Sequence, residues 1–173
     1  ALCCGLGYSD SFAFWEKNLT YEGESVYNYL QVSEDDTSVR LSTNVLFGVQ
    51  SVYMKQDRLT GMYYDYAMAA PLMLATQCRK YLGDMNVEGV EIDEKITQLS
   101  RKYFSLSEDV PVTTYDGRAY LNAMDKKYDV IMVDAYQDIT IPFQMSSVEF
   151  FTLVKDHLNE DGVMVVNMNM RGS

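Results

Sequence analysis

Acidic side chains follow three apolar stretches of this sequence and are its clearest candidates for chemistry. Glu91 and Asp93 close the stretch 87–92, Asp116 follows 112–115, and Asp134 follows 128–133. A carboxylate at the end of a strand can accept hydrogen bonds from sugar hydroxyls or amino groups, or take a proton from a nucleophile. The pattern therefore predicts a site built from carboxylates at strand ends.

The elements that must position these acids alternate between strand and helix. Strand-like stretches lie at 87–92, 112–115, 128–133 and 162–167, and helical patterns at 94–104, 118–124 and 146–158. This alternation is typical of a Rossmann-like α/β domain with a parallel sheet and right-handed crossovers. Ligands of such sheets bind beyond the carboxyl ends of the strands, so we expect the acids to share one cleft.

The last helix carries start and stop signals. Ser146 and Glu149 have the spacing of a capping box, which predicts that the helix begins there. Gly162 after a polar run is expected to cap its C-terminus. We expect His157, between Asp156 and Leu158, to be an ordinary boundary residue without a catalytic role.

The N-terminal part has a different texture. Residues 1–24 carry little signal, whereas 25–32, 39–41 and 48–53 are rich in strand formers and predict a small antiparallel β-unit. A helix-compatible run, 63–70, is closed by Pro71. These patterns predict an N-terminal β-unit over 1–60 and a Rossmann-like domain over 61–173.

Composition excludes several classes of protein. The chain has 14 Lys and Arg against 25 Asp and Glu, a net charge of −11, which argues against a nucleic-acid surface and suits a cationic substrate. A single histidine and three cysteines without metal-ligand spacing argue against a metal site and a Ser-His-Asp triad. Because the three cysteines form no disulfide framework, we expect the reducing cytoplasm as the compartment, and no apolar run reaches membrane-spanning length.

Each acid has a functional and an ordinary interpretation. Glu91 could accept both hydroxyls of a ribose, or be a solvated acid at a strand end. Asp116 could accept from an adenine amino group while Gly117 allows close approach, or the pair could simply be a turn. Asp134, after a wholly apolar strand, suits a general base, and Asp138 could add a second negative charge.

In order and spacing, these residues resemble the spermidine and spermine synthases, the polyamine aminopropyltransferases. The resemblance runs from about Ser25 to Asn167. It rests on a Gly-x-Gln element at 48–50, a tyrosine helix at 63–65 followed by Pro71, Val-Glu-Ile-Asp at 90–93, Asp-Gly at 116–117, and Asp134 after its apolar strand. Methyltransferases that use S-adenosylmethionine share the later motifs, and the N-terminal ones separate the two groups.

The resemblance implies roles for individual residues. Gln50, Tyr64, Glu91 and the pair Asp116-Gly117 would hold the nucleoside of decarboxylated S-adenosylmethionine or S-adenosylmethionine. Asp134 would be the catalytic base, and the amine would lie near Tyr63 and Asp138. The family also implies a di- or polyamine substrate, polyamine biosynthesis, no metal, and a possible homodimer.

The sequence departs from the family in four places. No Gly-rich loop lies between Leu74 and Ala75, which predicts residues missing from the chain there. Leu59-Thr60 replaces an acidic pair, the second acid of the catalytic segment stands late at Asp138, and the sequence stops after the fifth strand. These differences leave two alternatives open: a methyltransferase, or a degenerate family member that binds without turnover.

Overall fold

The computed structural model describes residues 11–13, 16–44, 49–56, 83, 85–134 and 142–166. The chain divides into two units, residues 1–57 and residues 58–173. Several predicted features lie outside the described residues, namely Tyr63, Tyr64, Asp138, Leu59-Thr60, the helix at 63–70 and the Leu74–Ala75 junction.

The first unit contains a four-stranded antiparallel sheet, which confirms the predicted β-unit. Its strands, in spatial as well as chain order, are β1 (Leu19–Glu24), β2 (Tyr29–Glu34), β3 (Ser38–Thr43) and β4 (Val49–Met54). Val32 stands opposite Leu41, and both are buried together with Leu30. The period-2 alternation of these apolar residues gives the sheet one buried face.

The start of this sheet differs from the prediction. Strand β1 lies in the stretch that carries little sequence signal, because none of its residues is buried and its pattern is mostly polar. Residues 25–28, predicted as strand, form a turn instead. The Ser25 hydroxyl accepts from the N–H groups of Tyr27, at 3.1 Å, and Asn28, at 2.9 Å, and such local bonds compete with the sheet ladder.

The second unit is mixed α/β with parallel strand pairs, as predicted. Strands β5 (Gly89–Glu91) and β6 (Val112–Thr114) pair in parallel, and so do β7 (Tyr128–Val133) and β8 (Leu158–Val166). The helices are α1 (Glu94–Tyr103), α2 (Gly117–Ala123) and α3 (Val148–Asp156), with a 3₁₀ turn at Phe143–Met145. None of the helices in the described part of the chain has the length and apolarity needed to cross a membrane.

The larger core cluster of this unit joins α2 and α3 to the β7–β8 sheet. Leu121, Val133, Phe150 and Val154 are buried together, and Met145 is among the partly buried residues that pack against them. The cluster fixes the end of β7, where Asp134 follows, relative to the helix that follows Asp116.

Both predicted signals for α3 are displaced. The N-cap is Ser147, whose hydroxyl accepts from the Phe150 N–H at 3.3 Å, so the predicted cap at Ser146 is wrong by one residue. The predicted cap at Gly162 is also wrong, because the helix ends at Asp156 and residues 159–162 bulge out of the β7–β8 ladder. Gly162 serves that bulge, since a Cβ there would lie 2.9 Å from the Tyr128 carbonyl oxygen.

His157 ends α3. Its Nδ1 lies 2.8 Å from the Leu153 carbonyl oxygen and its Nε2 lies 3.0 Å from that of Met124. Only an imidazolium can donate to both oxygens at once. The Met124 carbonyl, followed by that of Leu153, therefore raises the pKa of His157. Nearby, the Lys127 ammonium donates to the Asp156 carbonyl at 3.0 Å, so two cations cap this helix end.

Because His157 makes hydrogen bonds through both ring nitrogens, we expect its contribution to stability to depend on pH. Because the folded-state pKa is raised, the contribution is complete below the ordinary value of 6.5 and is lost as the pH rises through the folded value. The change His157→Gln should cost on the order of 1 kcal/mol near pH 6, and less near pH 8.

Urea denaturation of both proteins at the two pH values measures the difference. An equal loss of unfolding free energy at both would show that the imidazolium form is not the one that caps α3.

Candidate functional site

The pairing of β5 with β6 places two of the predicted residues at one edge. Glu91 is in register with Thr114, and the Tyr115 N–H donates to the Glu91 carbonyl at 3.2 Å. Because the strands are parallel, Glu91 at the end of β5 and Asp116 just beyond β6 both lie at the carboxyl edge. This is the edge at which α/β sheets bind ligands.

The Glu91 carboxylate lies in a largely dry place. Burial raises its pKa from the ordinary 4.5 to about 7. The Asp93 N–H, which donates to Oε1 at 2.9 Å, acts against this shift, whereas the negative charge of Asp93 adds to it. Glu91 is therefore not a freely solvated acid. Its backbone bonds fix the carboxylate, and its titration falls in the neutral range.

Asp93 makes this strand end rigid. Its side chain is only 2% exposed and accepts from the Lys95 N–H at 3.0 Å, which makes it the N-cap of α1. The cap fixes the path of the chain directly after Glu91. Asp93 thus orients the end of the strand that carries Glu91.

Asp116 likewise caps the next helix. Its Oδ1 accepts from the Ala119 N–H at 2.8 Å, at the start of α2. A Cβ placed on Gly117 would meet, within 4 Å and among described atoms, one atom only, the Met145 methyl at 3.9 Å. The pair therefore has the turn role that the sequence allowed, and it also presents an open backbone at the carboxyl edge.

Asp134 follows β7 directly and is half-buried. The opposite end of β7 is tied to the start of β5 through Glu88. The Glu88 carboxylate accepts from the Tyr128 hydroxyl at 2.5 Å and from the Lys126 ammonium at 2.6 Å. Burial alone would raise the pKa of Glu88, but these bonds outweigh it and hold the pKa below its ordinary value.

The predicted site residues thus fall into three groups. Glu91, Asp116 and Gly117 share the carboxyl edge of β5–β6, whereas Asp134 lies at the end of β7, in the other parallel pair. Gln50 lies half-buried in β4, in the first unit. Within the described residues, no cluster of three or more His, Cys, Asp and Glu could hold a metal ion.

Two neighbours of this edge carry no sequence signal of their own. The Arg118 guanidinium donates to the Gln144 carbonyl at 2.7 Å, across a sequence separation of 26 residues. Met145, in the same 3₁₀ turn, contributes the methyl that lies beside Gly117. Neither their residue types nor their local spacing predicts a place beside Gly117, because that place depends on how α2 packs against the turn.

Similarity to known proteins covers most of the chain. Residues 73–170 match the family model described as the spermine/spermidine synthase domain. A solved structure of a probable spermidine synthase from Corynebacterium glutamicum superposes with a TM-score of 0.64 at 19% identity, over 84% of this chain and 62% of that one. At this identity, the superposition shows a shared fold.

Curated relatives agree with the family model. A probable polyamine aminopropyl transferase from Bifidobacterium longum is 62% identical over 175 residues, which are 92% of this chain and 39% of the relative. A polyamine aminopropyltransferase from Hydrogenobaculum is 26% identical, over 85% of this chain and 59% of the relative. The chain thus spans between two fifths and three fifths of these relatives. Since the family model matches more than half of its residues, the chain belongs to the spermine/spermidine synthase family.

Proposed function

We propose that the full-length protein transfers an aminopropyl group from decarboxylated S-adenosylmethionine to a di- or polyamine. The observation that carries the proposal is the half-buried Glu91 carboxylate at the carboxyl edge of β5–β6, with Asp116 and Gly117 at the same edge. Relatives named polyamine aminopropyltransferases support the reaction type.

Glu91 is proposed to bind the ribose of the donor. An ionised carboxylate can accept from both ribose hydroxyls, and bonds to a charged acceptor are stronger than neutral ones. In a half-buried place, these bonds meet little competition from water. The Asp93 N–H already holds Oε1, so the carboxylate is oriented before the ligand arrives.

The adenine ring and the amine substrate are assigned to other predicted residues. Asp116 is proposed to accept from the adenine amino group while the bare Gly117 backbone lets the ring approach. By resemblance, Gln50 and Tyr64 complete the nucleoside site, and Tyr63 and Asp138 border the amine. The net charge of −11 favours a cationic acceptor, because an acidic surface raises the local concentration of cations.

Asp134 is proposed as the base. An amine with a pKa of about 10 is mostly protonated at neutral pH and is then no nucleophile, so a carboxylate must take its proton. The freed nitrogen forms a bond to the aminopropyl carbon as the carbon–sulfur bond breaks. The bonding electrons pass to the sulfonium sulfur, which leaves as the neutral thioether of methylthioadenosine.

The proposal also covers the compartment, the assembly and the domain boundaries. The cytoplasm is the proposed compartment, and a homodimer is the proposed assembly. The proposed domains are an N-terminal β-unit over 1–60 and a nucleoside-binding domain over 61–173. Transfer of a methyl group from intact S-adenosylmethionine is the competing reaction, and binding without turnover is the other alternative.

The change Glu91→Gln separates ligand binding from folding. Because the folded pKa is raised to about 7, the folded state holds a proton that the unfolded state has lost between about pH 4.5 and 7. Stability therefore falls as the pH rises through this range. The change Glu91→Gln should raise the unfolding free energy near pH 8 by about 1–2 kcal/mol.

The same change should weaken binding of methylthioadenosine by about 1–3 kcal/mol, because the charged acceptor is lost. Denaturation and calorimetry on the full-length protein measure the two effects. Glu88→Gln is the matched control: since the pKa of Glu88 is lowered, its ionised form stabilises the fold, and the variant should be less stable near pH 8. A Glu91→Gln protein with wild-type affinity would remove Glu91 from the site.

A change at Asp134 tests turnover. The change Asp134→Asn keeps size and removes the base, so kcat should fall by roughly 10²–10⁴ while methylthioadenosine still binds. The assay follows methylthioadenosine release from decarboxylated S-adenosylmethionine with putrescine, spermidine and longer amines. Asp129→Asn, an exposed position on the same strand, is the control and should retain activity.

Other outcomes of this assay are equally informative. Unchanged turnover in the Asp134→Asn protein would dismiss Asp134 as the base. If wild type releases no methylthioadenosine from decarboxylated S-adenosylmethionine but forms S-adenosylhomocysteine from intact S-adenosylmethionine, it is a methyltransferase. If neither donor reacts with any amine, the protein is a binding member of the family.

A further inference from the structure

Arg118 joins α2 to a distant part of the chain. Its Nη1 donates to the Gln144 carbonyl at 2.7 Å and lies 3.5 Å from the hydroxyl of Ser147, the N-cap of α3. The side chain is half-buried, and charge-assisted bonds in such places are among the stronger ones. A single guanidinium thus holds both the 3₁₀ turn Phe143–Met145 and the start of α3.

Among the described residues, the other hydrogen bonds of the turn are its own, including that from the Ser146 hydroxyl to the Phe143 carbonyl at 3.2 Å. Its own backbone bonds run from Met145 to Pro142 at 2.8 Å and from Ser146 to Phe143 at 3.1 Å. Phe143 is 84% exposed. Met145 packs against the cluster of Leu121, Val133, Phe150 and Val154. Among the described residues, Arg118 and Met145 are the side chains of α2 and the turn that link the two.

That position matters because of Gly117. The methyl of Met145 lies 3.9 Å from where a Gly117 Cβ would stand. A flat ring that lies against the open Gly117 backbone meets this methyl, and methionine makes favourable contacts with aromatic rings. Arg118 follows Gly117 directly in the sequence, so the residue that fixes the turn is adjacent to the backbone that the ring approaches.

We propose that Arg118 is a positioning residue of the nucleoside site, which acts by holding Met145 against Gly117. The inference rests on the proposed function, because it assumes that a nucleoside base lies at Asp116-Gly117. Arg118 itself does not touch the ligand. Its contribution to affinity passes through the turn, which is what a test must isolate.

Arg101 offers a matched control. Its guanidinium donates to two backbone carbonyls, Ser107 at 2.6 Å and Val110 at 3.1 Å, so its removal breaks the same kind of bonds. Both carbonyls belong to residues that come before β6 in the chain, so the bonds lie at the amino end of that strand. A variant at Arg101 should lose stability as a variant at Arg118 does, with no effect on the carboxyl edge.

The experiment is a double-mutant cycle on the full-length protein, with the dissociation constant of methylthioadenosine as the readout. Arg118→Ala should weaken binding about 10-fold in wild type, but by no more than about 2-fold when Met145 is already alanine. Arg118→Lys, which keeps the charge and can make one of the bonds, should fall between wild type and Arg118→Ala. Arg101→Ala should bind as wild type does.

Two results would overturn the proposal while leaving the proposed function intact. One is the same loss of affinity from Arg118→Ala in both backgrounds, which would mean that Arg118 does not act through Met145. The other is an equal loss from Arg101→Ala, which would mean a general effect of stability. A wild-type protein that binds no methylthioadenosine overturns the proposed function and this inference together.

Discussion

The burial of one carboxylate, Glu91, at the end of a three-residue strand is the constraint around which the second unit is arranged. Burying an ionisable acid is costly unless its charge is stabilised, and the pKa of about 7 shows that the cost is only partly offset. The Asp93 N–H bonds the carboxylate, and Asp93 in turn caps α1. Glu91 lies at the carboxyl edge of β5–β6, where α/β sheets bind ligands.

At the other end of the same strand, a second carboxylate, Glu88, is well stabilised. There Glu88 receives two tyrosine hydroxyls and a lysine ammonium, so its charge is well stabilised and ties β5 to β7. Two glutamates three residues apart thus have pKa values shifted in opposite directions. The ionised form of Glu88 stabilises the fold, whereas Glu91, with its raised pKa, lies at the edge at which α/β sheets bind ligands.

Sequence reasoning succeeded where local pattern and burial agree. The parallel pairs and the antiparallel unit follow from apolar periodicity, and the place of Glu91 and Asp116 at a sheet edge follows from their positions after strands. It failed where a long-range contact overrode a local signal. The Lys127 and His157 side chains cap α3, and Gly162 lies in a bulge instead. At Ser25 the cause is local, since its hydroxyl bonds the backbone two and three residues on and turns the chain within a strand-like run. Arg118 and Met145 have no local signal, because the contact between α2 and the turn joins residues 26 positions apart in the sequence.

A crystal structure of the full-length protein with methylthioadenosine tests the central claim most directly. The account predicts that both ribose hydroxyls donate to the Glu91 carboxylate, that the adenine lies against Gly117 with its amino group on Asp116, and that the thioether sulfur faces Asp134. A nucleoside bound elsewhere, or one at this edge whose ribose leaves Glu91 bonded only to the N–H groups of its own loop, would contradict it.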